Sequence, residues 1–127
     1  MTRIKGFYGY DPKSPSKYHN EKITYQGESF DSKKEFEYYL LLKDREKRGE
    51  IIDLQRQVPL EIQPGFIMPD GKKIRPITYL ADFVYTDAKT LERKVIDVKG
   101  SKNTLTEVYK LKKKLLAYQG IFIEEVY

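Results

Sequence analysis

The 127-residue sequence contains no cysteine and one histidine, His19. Without cysteine there are no disulfides and no thiolate metal sites. With one histidine there is no paired-histidine metal site and no HNH-type nuclease centre. No apolar run approaches the roughly 20 residues of a membrane span. The basic N-terminus lacks a following signal-type apolar segment, so the expected location is the cytoplasm, with no membrane partner. Internal repeats and low-complexity tracts are also missing. What the chain does have is charge, at 34% of residues against 39% hydrophobic. Its net charge is +5 and its pI is near 9.2, a balance that favours an anionic partner.

Residues 1–21 are rich in Gly, Pro, Ser and Lys, with Tyr8, Tyr10 and Tyr18 interspersed. They read as an arm ahead of a single domain over residues 22–127. Such a segment could follow a nucleic-acid backbone and stack on bases, or pack loosely. Lys22 to Phe30 reads as a short hairpin turning at Gly27. Ser32 and Glu35 then have capping-box spacing and open a helix that runs to about Arg48 and stops at Gly49. Its apolar side comprises Phe36, Tyr39, Leu40 and Leu42, with Lys43, Arg45, Lys47 and Arg48 outside. Ile52, Leu54, Val58, Leu60 and Ile62 share one strand parity, with Gln55 and Gln57 on the other face. After a Pro-rich turn come two further strands. A loop ending in a cap at Asn103–Thr104 leads to a second helix, Leu105 to Tyr118, whose outer side carries Lys110, Lys112, Lys113 and Lys114. A last strand follows Gly120. The order helix, three strands, helix, strand predicts an α/β or α+β fold, a mixed sheet flanked by helices.

The two central strands, Ile77–Thr86 and Glu92–Gly100, are mostly β-branched and aromatic. Into them the chain inserts Asp82, Asp97 and Lys99. In one register of an antiparallel hairpin Asp82 lies opposite Asp97, and Lys99 shares their face because alternate residues point the same way. Two carboxylates and an ammonium are costly to bury on an apolar sheet. A metal-dependent nuclease site would account for them; a structural salt bridge is the alternative. Asp-x-Lys or Glu-x-Lys occurs six times, beginning at Asp11, Asp31, Asp70, Asp87, Glu92 and Asp97. Only the copy at Asp97 is flanked by apolar strand residues. Pro69-Asp70-Gly71 reads as turn chemistry.

These pieces in this order resemble the PD-(D/E)XK nuclease superfamily, and more closely a family of small phage-encoded proteins related to Holliday-junction resolvases. The resemblance rests on Phe30–Glu35, Ile52–Gln57, Ile77–Phe83, Val95–Gly100 with Thr104, and Tyr109–Lys112. Ala81 stands where the superfamily's name has proline. The resemblance implies a restriction-endonuclease-like core and Mg²⁺- or Mn²⁺-dependent, structure-selective cleavage of DNA. It assigns Asp82 and Asp97 as metal ligands with the Val98 carbonyl as a third. It also gives Lys99 the attacking water, Glu35 a water or second metal, and Gln57 a place in the same pocket. Glu35 has a second reading as the closing member of the capping box. Thr104, Lys110, Lys113 and Lys114 are the expected DNA contacts, and a twofold homodimer would suit symmetric cleavage. A catalytically inactive DNA-binding or phage accessory protein that retains the fold is the rival reading.

Overall fold

The structure is a computed structural model that describes residues 22–127, with Thr104 described by its backbone alone. The expected N-terminal arm, with His19, therefore lies outside the described residues, as does the Thr104 side chain. The chain divides into two compact units, Met1–Phe36 and Glu37–Tyr127.

In the first unit, β1 (Ile23–Tyr25) and β2 (Glu28–Phe30) form the expected hairpin, with Ile23 opposite Phe30. Gln26 and Gly27 both have positive φ, 50° and 82°, as a two-residue turn between twisted strands demands. Helix α1 spans Lys33–Lys47. At its start the Glu35 amide donates to Ser32 Oγ at 3.1 Å, the first half of a capping box. The Phe36 ring meets those of Phe30 and Tyr25, each at 5.2 Å between centroids.

In the second unit, α1 ends where the sequence predicts. Gly49, at φ 80°, donates to Glu46, and the Glu50 amide reaches back to Arg45 at 2.9 Å, the paired bonds of a Schellman stop. Tyr39 and Leu42 are buried on this helix, but Leu40 is exposed. The rings of Tyr38 and Tyr39 lie 5.9 and 6.3 Å from that of Phe83. Arg45, expected outside, is half-buried with its guanidinium over the Tyr85 ring.

The strands are β3 (Ile51–Gln63), β4 (Phe66–Ile67), β5 (Lys73–Ile74), β6 (Ile77–Asp87), β7 (Arg93–Val98) and β8 (Ile123–Val126), with α2 (Glu107–Tyr118) between the last two. The main sheet has the order β3-β6-β7-β8. Its pairs are antiparallel except β7–β8, which is parallel and so needs a crossover. Helix α2 is that crossover. Its Tyr109 and Leu116 join Leu60, Ala81, Val84, Val95 and Ile123 in the core. Among the described residues the fold is thus mixed α+β, with a mixed four-stranded sheet and two α-helices. Among the described residues no helix is long and apolar enough to cross a membrane.

Two expectations need correction. Strand β3 does not keep one parity: Ile51 is buried and Ile52 exposed. The register shifts between Ile52 and Gln55, where Asp53 is left-handed at φ 56°. A bulge adds a residue and exchanges the faces. Helix α2 begins two residues later than expected, because Thr106 is the cap and its Oγ1 accepts from the Tyr109 amide at 3.0 Å. Residues Lys102–Thr104 instead form a short 3-10 turn.

Candidate functional site

One step beyond the paired residues Phe83 and Ile96, the antiparallel register sets Asp82 opposite Asp97. The same reasoning extends the row both ways. Gln57 falls opposite Asp82, between the pairs Arg56–Phe83 and Val58–Ala81, and Glu125 pairs with Asp97. Gln57, Asp82, Asp97 and Glu125 therefore form one polar row across all four strands. The row is not regular sheet. Gln57 adopts φ 51°, uncommon for a residue with a side chain. The Asp82 carboxylate turns to accept the Val98 amide at 2.8 Å.

Asp97 is the most enclosed member, 5% exposed. Its Oδ2 lies 2.6 Å from Lys99 Nζ, and Lys99 Nζ in turn sits 3.7 Å above the centre of the Tyr109 ring. The ammonium is thus held by a carboxylate on one side and an aromatic face on the other, a favourable position for a cation. Burial, then the neighbouring Asp97 carboxylate, pushes the Tyr79 hydroxyl far above its ordinary range. That hydroxyl and Asp97 Oδ2 are buried without a well-formed hydrogen bond; the short Lys99 contact is the partner that neutralises Asp97.

Behind Lys99 a second network fixes Tyr109. Its hydroxyl donates to Glu125 Oε2 at 2.7 Å, Lys113 Nζ donates to the same oxygen at 2.9 Å, and the Tyr127 hydroxyl donates to Oε1 at 2.9 Å. Lys113 is therefore an internal partner, not part of an outward array. Lys112 likewise donates to the Thr78 carbonyl at 2.8 Å, and Lys110 pairs with Glu107. Lys110, which stays exposed beside Glu107, and Lys114 fit the outward face as expected. Glu35 belongs to the first unit, where its side chain is buried.

The sequence reading passed over Tyr79 and Glu125. The signal for Glu125 was present: Ile121, Ile123 and Glu125 share a parity, so an acid follows two apolar residues on the inward side. Hydrogen bonding from Tyr109 outweighs burial and, with Lys113 and Tyr127, draws the Glu125 carboxyl down from 4.5 to about 2. A value lowered by folding gives stability that is present above the unfolded value and lost as pH falls through the folded one. The urea midpoint of the parent should thus exceed that of Glu125→Gln most clearly above pH 4.5. The gap should close as the pH approaches about 2. A gap independent of pH would mean that the carboxylate charge is not what Tyr109 and Lys113 bind.

The sequence matches, over residues 15–126, the family described as "Protein of unknown function (DUF1064)". The chain belongs to this family. No curated protein and no solved structure matches the sequence significantly. The matched span of the DUF1064 chain includes every element described above and the whole polar row.

Among the described residues no group of three or more His, Cys, Asp or Glu side chains is placed to share a metal ion. Asp82 and Asp97 would therefore supply two carboxylates and need the backbone, water or substrate for the remainder. That donor set suits a hard divalent cation, since Mg²⁺ is commonly held by one or two carboxylates with waters and phosphate oxygens. The buried Asp97 oxygen fits as well, because its neutralising contact among the described residues is Lys99, whose side chain is 20% exposed.

Proposed function

We infer that this chain is a metal-dependent DNA endonuclease with a restriction-endonuclease-like core. The observation that carries the reading is the juxtaposition of Asp82, Asp97 and Lys99 at the end of a buried strand pair. Asp82, Asp97 and the Val98 carbonyl would hold Mg²⁺ or Mn²⁺. When bound, such an ion polarises the scissile phosphate and lowers the pKa of the attacking water.

The chain's own residues do the rest. Lys99 presents a compact ammonium donor to a phosphate oxygen or to the incoming water. Tyr109 holds that ammonium in place, and Glu125, Lys113 and Tyr127 hold Tyr109. Tyr79 walls the site on its buried side, which strengthens every charge interaction within it. Glu35 and Gln57 enter through the superfamily resemblance, Gln57 with the added support of its place opposite Asp82. Structure-selective cutting in phage recombination or replication is the role the resemblance suggests.

The rival is a DNA-binding protein that does not cut, with Asp97 and Lys99 as a closed structural ion pair. The 2.6 Å contact favours it. A cleavage panel separates the two. Purified protein with Mg²⁺ or Mn²⁺ should nick or cut at least one of linear duplex, flap, fork and four-way junction, and a chelator should stop it. Binding without metal-dependent cleavage of any of these would leave the non-catalytic reading standing.

A further inference from the structure

Between β3 and β6, away from the polar row, the chain builds a small second ribbon. Phe66 pairs with Ile74 and Ile67 with Lys73, and the Met68 amide continues the ladder to the Lys72 carbonyl at 2.8 Å. The tip is shaped in advance. Gly71 has φ 89°, its amide donates to the Met68 carbonyl, and Asp70 Oδ1 accepts from the Lys72 amide at 3.0 Å. Pro69-Asp70-Gly71 is thus the turn the sequence predicts. At the base, a Cβ on Gly65 would come within 3.0 Å of the Ile74 carbonyl and 3.2 Å of Pro76. The close approach of the two strands depends on glycine there.

What this ribbon presents to solvent is unusual for a structural turn. Phe66 is 46% exposed, Ile67 66% and Met68 40%. Lys72, Lys73 and Arg75 are exposed beside them, and among the described residues none of the three has a carboxylate partner in an ion pair. Phe66 and Met68 lie on one face of the ribbon and Ile67 on the other, and apolar side chains left exposed on a short pre-shaped ribbon mark an interaction site. The three exposed cations decide the kind of partner: an anionic one with flat apolar faces, which describes nucleic acid. Phe, Ile and Met are among the wedges that proteins insert between base steps, and lysine and arginine provide the phosphate contacts that position such a wedge.

We propose that the β4–β5 ribbon is a nucleic-acid wedge. Phe66, Ile67 and Met68 take up unstacked bases at a branch or single-strand junction, while Lys72, Lys73 and Arg75 hold the flanking phosphates. The inference rests on the nuclease reading for placing the ribbon on the same DNA that reaches Asp82 and Asp97. It names the feature that DNA must carry, an interrupted stack, because unstacking is cheapest there. Strand β6 begins at Ile77, and the five steps to Asp82 span roughly 17 Å. The end of β6 that follows the ribbon and the candidate cutting site are thus several nucleotides apart on one strand of protein.

The test is binding without divalent metal, so that cleavage plays no part. The full chain is titrated into a four-way junction, a fork and a linear duplex of equal length, with 2-aminopurine beside the branch point. The parent should bind the branched forms about tenfold more tightly than duplex, the worth of one good stacking contact, and should change the 2-aminopurine emission. The triple substitution Phe66→Ser, Ile67→Ser, Met68→Ser should remove that preference and leave duplex binding near parental. Replacing Lys72, Lys73 and Arg75 by alanine should weaken both and flatten the salt dependence. Equal binding of branch and duplex by the parent, with unchanged emission, overturns the proposal and needs no variant to do so. A preference that survives the serine variant overturns it too, and would make the ribbon a site for another protein. Branch-selective binding without cleavage on adding Mg²⁺ would instead remove the catalytic reading and keep the wedge. Cleavage indifferent to both sets of variants would do the opposite.

Discussion

Replacing Lys99 with methionine should abolish metal-dependent cleavage and, at the same time, lower the melting temperature. The first effect follows from removing the ammonium that contacts Asp97. A positioned proton-transfer group alone is worth roughly a hundredfold or more in rate. The second follows from burial. Asp97 has a side chain only 8% exposed, and Lys99 is its ion-pair partner at 2.6 Å. Stripping the partner from a buried charge costs about 3 kcal/mol, on the order of ten degrees in melting temperature for a chain of this size. The double variant Lys99→Met, Asp97→Asn has no orphaned charge and should regain most of the lost stability while staying inactive. On the proposed reading Lys99 makes at most one of many phosphate contacts spread over the basic surface, so DNA affinity should change little. Parental cleavage by Lys99→Met would reduce the pair to a structural ion pair.

Divalent metal binding should fall by roughly a hundredfold or more in both Asp82→Asn and Asp97→Asn, beyond the 10- to 100-fold loss typical of removing a mere supporting contact. Asparagine at 82 keeps an oxygen that can accept the Val98 amide, so that variant should melt close to the parent. Asp82→Ala loses this acceptor as well and leaves the amide unpaired, costing about 1–3 kcal/mol. Titration calorimetry with Mn²⁺ and thermal melts on the three variants separate charge from hydrogen bonding. Parental metal affinity in both asparagine variants would rule out these two residues as the ligands.

The local elements were legible in the sequence because each is governed by neighbours along the chain. The Gln26-Gly27 turn, the Ser32 cap, the Gly49 stop and the turn at Asp70 each depend on side-chain and φ preferences within a few residues. The pairing of β6 with β7 was legible for a different reason. A connection of a few residues leaves few registers, and only one puts Asp82 against Asp97 while keeping the apolar residues together.

What only tertiary structure decided involves partners far apart in sequence. The bulge at Asp53 buries Ile51 in place of Ile52, Gln57 takes a left-handed φ opposite Asp82, and strand periodicity marks neither position. The lysines of α2 read as a solvated or DNA-facing array because helical spacing alone cannot tell which of them meets an acid. The parallel docking of β8 beside β7 brings Glu125 under Lys113, and Lys112 finds the Thr78 carbonyl 34 residues away. Residue types determined that carboxylates and an ammonium would have to share the centre of the sheet, since each needs a partner when buried. Packing determined which partner each took: Asp97 and the Tyr109 ring for Lys99, the Val98 amide for Asp82, and Tyr109, Lys113 and Tyr127 for Glu125.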